Sequence, residues 1–406
     1  MNIKEIFKSI GPGPIVAAAF IGPGTVTVCT LAGVNWGYSL MWAMLISILI
    51  TGFLQEASGR LGVITKKDLS EILRDSDLGI LLKWFALPLV LLAIALGNAA
   101  YESGNLTGAA LGLDVIINPT KVIPETFSIK PTNLLAGVLA LALLWYGSFK
   151  TLQNVLTGLV IVLSVSFLVT AFMVLPEITT LAKGFIPRVN SENLLLIASI
   201  IGTTVVPYNL FLYASLAKKQ WEAASEIGAM RKDIWISVVL GGIVSMAIIV
   251  VGASNPSTEI NSVVDLSKGL ELTLGKTAKY LTAIGLFGAG ITSSITAPLA
   301  TGLVVCGLFG WDQNISSKPM RWVMISTVSL GLIFSSFGIT PVQLIVTAQL
   351  ANGILLPLVS GWILWLSAQK GILGKYATRR SGLIFGVLIW LMTLALGIKS
   401  VSLVFA

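Results

Sequence analysis

The sequence predicts an all-α integral membrane protein with eleven transmembrane helices, and three observations predict it. Hydrophobic residues make up 55% of the 406 and charged residues only 11%, with a mean hydropathy of +0.91, whereas a soluble domain carries about 25% charge. Apolar stretches long enough to cross a bilayer, about 20 residues each, recur along the whole chain. Two of these stretches are interrupted by proline at matching points five spans apart, the pattern of two inverted five-helix repeats.

Taken in order, the predicted spans are 13–32, 39–61, 79–97 with a polar extension to 113, 133–146, 155–174, 194–216, 234–252, 281–309, 322–337, 342–367 and 383–397. The fourth is the shortest. The first carries Pro12, Pro14 and Pro23 and leads into further spans, so it does not read as a cleavable signal peptide. The predicted organisation is a first repeat over 1–180, a second over 181–367, and the eleventh helix over 368–406. With the N-terminus in the cytoplasm, 18 of the 26 Lys and Arg fall on inside segments and 8 outside. This sets the orientation, N-terminus in and C-terminus out, in the plasma membrane. It also accounts for the net charge of +8 without a nucleic-acid partner; the bilayer is the partner the composition demands.

Several classes are excluded early. There are no histidines, which removes the usual general base and a common metal ligand. The two cysteines, Cys29 and Cys306, sit inside apolar segments as small core residues. No Gly-Lys-Ser/Thr phosphate loop is present, so ATP-driven pumping is not indicated. Neither an enzyme nor a resident cofactor or metal centre is expected.

The interruptions read Gly22-Pro23-Gly24-Thr25 in the first span and Val206-Pro207-Tyr208-Asn209 in the sixth, with 184 residues between the prolines. A proline inside a helix removes a backbone hydrogen bond and clashes with the preceding turn. Unwound backbone at membrane depth is tolerated only where it is buried in protein or lines a cavity. The two breaks therefore mark a binding site near the midplane of a secondary transporter. Two deep acids are candidates for coupling. Glu102 lies in a polar tract with Tyr101, Asn105 and Thr107 and has no basic neighbour in sequence. Glu56 precedes Arg60 by four residues, on one helix face, which also suits a structural ion pair. Trp36, Trp84, Trp145 and Trp365, near span ends, read as interface anchors.

The stretch from Gly11-Pro12-Gly13-Pro14 to Leu61-Gly62-Val63-Ile64-Thr65 and Lys67-Asp68-Leu69 resembles the natural resistance-associated macrophage protein (Nramp) family. So do Val206-Pro207-Tyr208-Asn209-Leu210, Ala283-Ile284-Gly285-Leu286 with Thr292-Ser293-Ser294-Ile295-Thr296, and Ala348-Gln349-Leu350. The resemblance implies a LeuT-type fold and proton-coupled import of divalent transition metals. The departures are specific. Where the family has Asp-Pro-Gly-Asn this chain has Gly22-Pro23-Gly24-Thr25, and where it has Met-Pro-His this chain has Val206-Pro207-Tyr208. Of the family's Asp and Glu pair in the third helix, Glu102 remains and Asn105 takes the other place. The eighth-helix glutamine falls on Ile291, the tenth-helix glutamine is kept as Gln349, and the ninth helix lacks the family's buried arginines.

The expected substrate site is thus Gly22, Pro23, Gly24, Thr25, Val206, Pro207, Tyr208, Asn209 and Gln349, with Glu102, Asn105 and Glu56 in coupling. It offers no carboxylate, thioether or imidazole in either motif, and a divalent cation leaving water needs anionic or many oxygen ligands. With two half-helix N-termini facing the site, the reading is a small anion, bicarbonate first, carried in symport with H⁺ or Na⁺ by alternating access. The alternative is the parent family's activity, proton-coupled transport of a divalent cation such as Mn²⁺ or Mg²⁺. A monomer is expected.

Overall fold

The computed structural model describes residues 21–75, 80–117, 130–146, 150–255, 260–337 and 339–404. The lead of the first predicted span, with Pro12 and Pro14, lies outside the described residues, as do Lys4, Lys8 and Lys121 and the side chains of Lys83, Trp84 and Lys150. All regular structure among the described residues is helical. The main helices are α1 (Pro23–Trp36), α2 (Met41–Thr65), α3 (Leu69–Asp75), α4 (Ile80–Ile117), α5 (Pro131–Tyr146), α6 (Lys150–Met173), α7 (Ile178–Lys183), α8 (Leu194–Thr204), α9 (Pro207–Gln220), α10 (Ile227–Ala253), α11 (Ala278–Phe309), α12 (Lys318–Phe334), α13 (Pro341–Ala368) and α14 (Arg380–Val404). Seven helical stretches among them are long and apolar enough to cross a membrane, and Pro131–Tyr146 and Thr157–Met173 are shorter apolar helices.

Local chemistry sets the helix ends. Proline opens α1, α9 and α13 and stands in the first turn of α12, where its missing N–H is one that has no intrahelical partner in any case. Ser317 and Thr340 cap α12 and α13 through their hydroxyls. Lys66 ends α2 in the left-handed region, φ 56°. The third span continues through its polar extension as one 38-residue helix. Asn98, Glu102, Ser103, Asn105 and Thr107 of that tract are buried.

α4 is central and packs against α11, α13 and α12, while α1 lies on α10, α9 on α2, and α8 on α13. These packings bury Val26, Leu54, Leu61, Tyr213, Ile249 and Leu286 completely. α14 packs chiefly on α13 and leaves Ile384, Leu388 and Leu391 exposed, a surface that lipid must cover. Trp145 and Trp365 are about half exposed, at 50% and 41%, and Arg321 stacks on the Trp145 ring at 4.4 Å.

At the end assigned to the cytoplasm, α3, α9 and the segment before α12 are tied by Asp68. Its carboxylate accepts from Ser70, from the Glu71 amide at 2.9 Å and from Gln313 at 2.7 Å. The Lys218 ammonium bridges Asp68 at 3.3 Å and Glu71 at 2.7 Å. Burial pushes the Asp68 carboxyl up, but the Ser70 hydroxyl, Lys218, the Glu71 amide and Gln313 together outweigh it and hold it below the usual carboxylate range. A depressed acid stabilises the fold fully above its unfolded pKa, about 4, and that contribution is lost as pH falls through the folded value. Asp68→Asn should therefore cost ~2 kcal/mol at pH 7, the scale of hydrogen bonds to a charged group, and nothing in strong acid. Thermal unfolding of both proteins across pH checks this; equal destabilisation at pH 7 and in strong acid would contradict it.

Candidate functional site: two helix breaks around Thr25 and Tyr208

Both expected interruptions lie where helices end or begin. α8 stops at Thr204, Val205 leaves the helix at φ −96°, ψ 68°, and Val206 is extended at φ −77°, ψ 121° before Pro207 starts α9. Gly22 is extended at φ −97°, ψ −176°, and Pro23 starts α1. The last carbonyls of α8 and the first amides of α1 and α9 lack intrahelical partners by geometry, so both polarities of backbone are available here.

The fold brings the breaks together. Thr25 Oγ1 lies 2.9 Å from Thr203 Oγ1, joining the first turn of α1 to the last turn of α8. Gln349 of α13 lies against Gly24: a Cβ at Gly24 would stand 2.3 Å from Gln349 Nε2. Gly202 allows α8 to touch α13, since its Cβ would fall 1.9 Å from the Gln349 carbonyl oxygen. The Tyr208 ring packs edge-on to Tyr101 at 5.4 Å, linking α9 to α4. Pro23 packs on Gly108 of α4, so α4 borders both breaks.

Several buried polar atoms here have no protein hydrogen-bond partner: both side-chain heteroatoms of Asn209, Gln349 Oε1, and Asn352 Oδ1 and Nδ2, while Tyr208 has Thr296 and Tyr101 as its polar neighbours. Such atoms are normally satisfied by protein or ordered water, and their clustering fits a site that takes a hydrated ligand. Glu102 is fully buried. Asn105 Nδ2 donates to its Oε2 at 3.4 Å, and Ser294 is its other polar neighbour. α12 offers it no cation: a Cβ at Gly331 would meet Glu102 Cγ at 2.7 Å, and 322–369 carries no charge. Glu102 follows Tyr101 on α4, and Tyr101 is the ring that packs on Tyr208.

Among the expected site residues, Thr25, Tyr208, Asn209 and Gln349 bring side-chain polar atoms, while Gly22, Gly24 and Pro207 shape backbone. The Val206 side chain packs with Tyr101, Leu212 and Ala297 in an apolar cluster. Glu56 stands elsewhere, in ion pairs with Arg60 at 3.6 Å and Arg231 at 2.9 Å. Thr203, Ser294, Thr296 and Asn352 escaped the sequence reading as candidates. Thr203-Thr204 directly before the break, and the polar run 292–296 inside an apolar span, are the signals that point to them. A cavity of about 540 Å³ lies between α1, α8 and α13, lined by Asn35, Ser199 and Thr347 among others, and its one formal charge is the Glu192 carboxylate. Ser199 stands one helical turn before Thr203, so the cavity approaches the breaks from the side assigned to the exterior.

A helix broken at 205–206 beside a helix start at Pro23, with buried polar groups around them, is the pattern of a secondary transporter's central site. The description "natural resistance-associated macrophage protein-like" matches this chain over residues 13–403, and the chain belongs to the Nramp family. It is similar to the divalent metal cation transporter MntH of Mycobacterium tuberculosis, 24% identical over 100% of this chain and 92% of that protein. It is similar as well to MntH of Deinococcus radiodurans, 24% identical over 97% of this chain and 89% of that protein. Its fold matches a manganese transporter of Eremococcus coleocola, TM-score 0.77 at 19% identity over 97% of this chain and 85% of that one. It also matches MhsT in complex with L-phenylalanine, TM-score 0.61 at 16% identity over 97% and 98%. The protein is thus a multi-pass membrane transporter of LeuT-type fold.

The bicarbonate expectation is corrected. The relatives are named divalent metal cation transporters, and the structure supplies the physical reason. The expectation took the site to contain nothing that repels negative charge, but Tyr208 packs on Tyr101, the residue beside Glu102 on α4, and Glu192 lines the approach. Neither the cavity lining nor the residues gathered at the breaks include a Lys or Arg to offset them. Carboxylates repel an anion and concentrate cations.

Proposed function

We propose that this protein is a proton-coupled symporter of a hard divalent cation, Mg²⁺ or Mn²⁺, which it binds through oxygen while the ion keeps part of its water shell. The observation that carries the proposal is the donor set: Thr25, Tyr208, Asn209 and Gln349 with the freed carbonyls of α8, and the single Glu102 carboxyl beside them. Among the described residues no group of three or more His, Cys, Asp or Glu gathers, so nothing favours a soft metal. Mg²⁺ dehydrates reluctantly and is commonly held by one or two carboxylates plus waters; oxygen donors suit Mg²⁺ and Mn²⁺, whereas thiolate and thioether select softer ions. The relatives' printed cargo, a divalent metal cation, supports the same reading.

The transporter works by alternating access between two inverted repeats, 1–180 and 181–367, with 368–406 outside them, as a monomer. It sits in the plasma membrane with its N-terminus in the cytoplasm. Glu102 and Asn105 serve coupling, with H⁺ as the driving ion; Glu56, ion-paired twice, is structural.

Titration calorimetry of the purified protein tests the binding step. Mg²⁺ and Mn²⁺ should bind weakly, with Kd on the order of 0.1–1 mM, the range of sites with few charged ligands. Binding should weaken further in Gly24→Ala, whose new methyl displaces Gln349. No heat from any divalent cation would overturn the proposal, and low-micromolar Mn²⁺ affinity would contradict the oxygen-only donor set.

A further inference from the structure

We propose that a second site, at the inner ends of α2 and α10 and the segment 374–379 leading into α14, binds a phosphate-bearing anion. A cavity of about 650 Å³ there is lined by Arg60, Arg231, Lys375 and Arg379, against one acid, Glu56. Glu56 is already shared by Arg60 and Arg231. Lys375 and Arg379 form no ion pair among the described residues and stand at the cavity mouth, exposed. Four cations facing one carboxylate repel each other unless an anion joins them.

Arg60 supplies the built part of the site. Only 5% of it is exposed, and it is fixed in place because Nη1 donates to the Tyr376 carbonyl and Nη2 to Thr378 Oγ1, each at 2.9 Å. Its Nε faces Glu56 Oε1 at 3.6 Å without a hydrogen bond, so this buried guanidinium edge shares its one carboxylate with Arg231. Thr378 is itself held by Ser367, its amide on the Ser367 carbonyl at 2.8 Å. The result is a fixed guanidinium at the base with exposed cations at the rim. Guanidinium matches phosphate geometry, and lysine supplies point charge. The cavity opens on the side that the positive-inside distribution assigns to the cytoplasm, where basic pockets between membrane helices recognise anionic lipid. A phosphodiester headgroup and a soluble phosphate share the chemistry. Because α2, α10 and α14 meet here, an occupant clamps α2 to the segment ahead of α14.

The test is ligand binding to the full-length protein in detergent, read by native mass spectrometry with phosphatidylglycerol, with phosphatidylcholine, and with glycerol phosphate. Lys375→Gln/Arg379→Gln removes the rim and keeps Arg60 and the Arg231–Glu56 pair, so folding is retained. At about a fivefold loss per basic residue near a headgroup, phosphatidylglycerol affinity should fall about 30-fold in this variant, with phosphatidylcholine binding unchanged. Lys67→Gln/Lys219→Gln, two basic residues of the same face outside the cavity, should leave affinity within twofold. Glycerol phosphate binding with the same 30-fold loss would support the site and assign it a soluble ligand. Unchanged affinity in the rim variant, or an equal loss in the Lys67/Lys219 control, would overturn the proposal.

Discussion

Glu102→Gln is expected to abolish proton-driven accumulation of the cation while leaving the protein folded. The side chain is fully buried on α4, has Asn105 and Ser294 as its polar neighbours, and faces Gly331 in the stretch 322–334 of α12, which carries no charge. Its neighbour Tyr101 packs on Tyr208 at the break. Gln matches the shape of Glu102 and keeps a carbonyl oxygen, but it cannot take up or release a proton. Cation affinity should fall about 10- to 100-fold, the worth of a charge-assisted contact. Uptake should lose its dependence on a pH gradient altogether. Downhill flux at high cation concentration separates the two effects: it should persist at a reduced rate and be insensitive to pH. A Gln variant that accumulates cation with unchanged pH dependence would place coupling at another group.

Gly202→Ala is expected to be the most damaging single-methyl change at the site. The added Cβ would stand 1.9 Å from the Gln349 carbonyl oxygen and 2.7 Å from the Gly353 amide nitrogen. Both are backbone atoms of α13, so no side-chain rotation relieves the clash and α8 must move away. Overpacking of this kind costs about 1–3 kcal/mol or more, and the separation also draws Thr203 from Thr25. Thermal stability should drop and transport should be lost together. Gly24→Ala is the contrasting change, because its methyl meets only the end of the Gln349 side chain: the fold should hold and cation affinity alone should change. Equal stability losses in the two variants would contradict this difference between backbone and side-chain contact.

Much of the architecture was legible because its signals are local. Apolar runs of spanning length, Pro23 and Pro207 inside two of them, and Glu56 four residues before Arg60 all state their structural consequence within a few residues. The contacts that join distant segments are not local. Thr25 meets Thr203 across 178 residues, and Glu56 meets Arg231 across 175. That Tyr101, next to Glu102, packs on Tyr208 depends on how α4 lies beside α9, which no periodicity in either helix contains. Read as two isolated motifs, the breaks show neutral side chains and two helix N-termini and so suit an anion. Folded, they lie beside the stretch of α4 that carries Glu102, and Glu192 lines the approach, which the isolated motifs do not show.

The most direct test of an oxygen-lined cation site is influx into proteoliposomes holding the purified protein, under an inward proton gradient, with a fluorescent indicator for divalent cations inside. Mg²⁺ and Mn²⁺ should enter at rates that rise with the gradient, and in Glu102→Gln at a reduced rate that no longer responds to it, while Cd²⁺, which prefers sulfur ligands, should enter more slowly than either. Transport of Cd²⁺ faster than Mg²⁺ and Mn²⁺, or no divalent influx above that of empty liposomes, would contradict it.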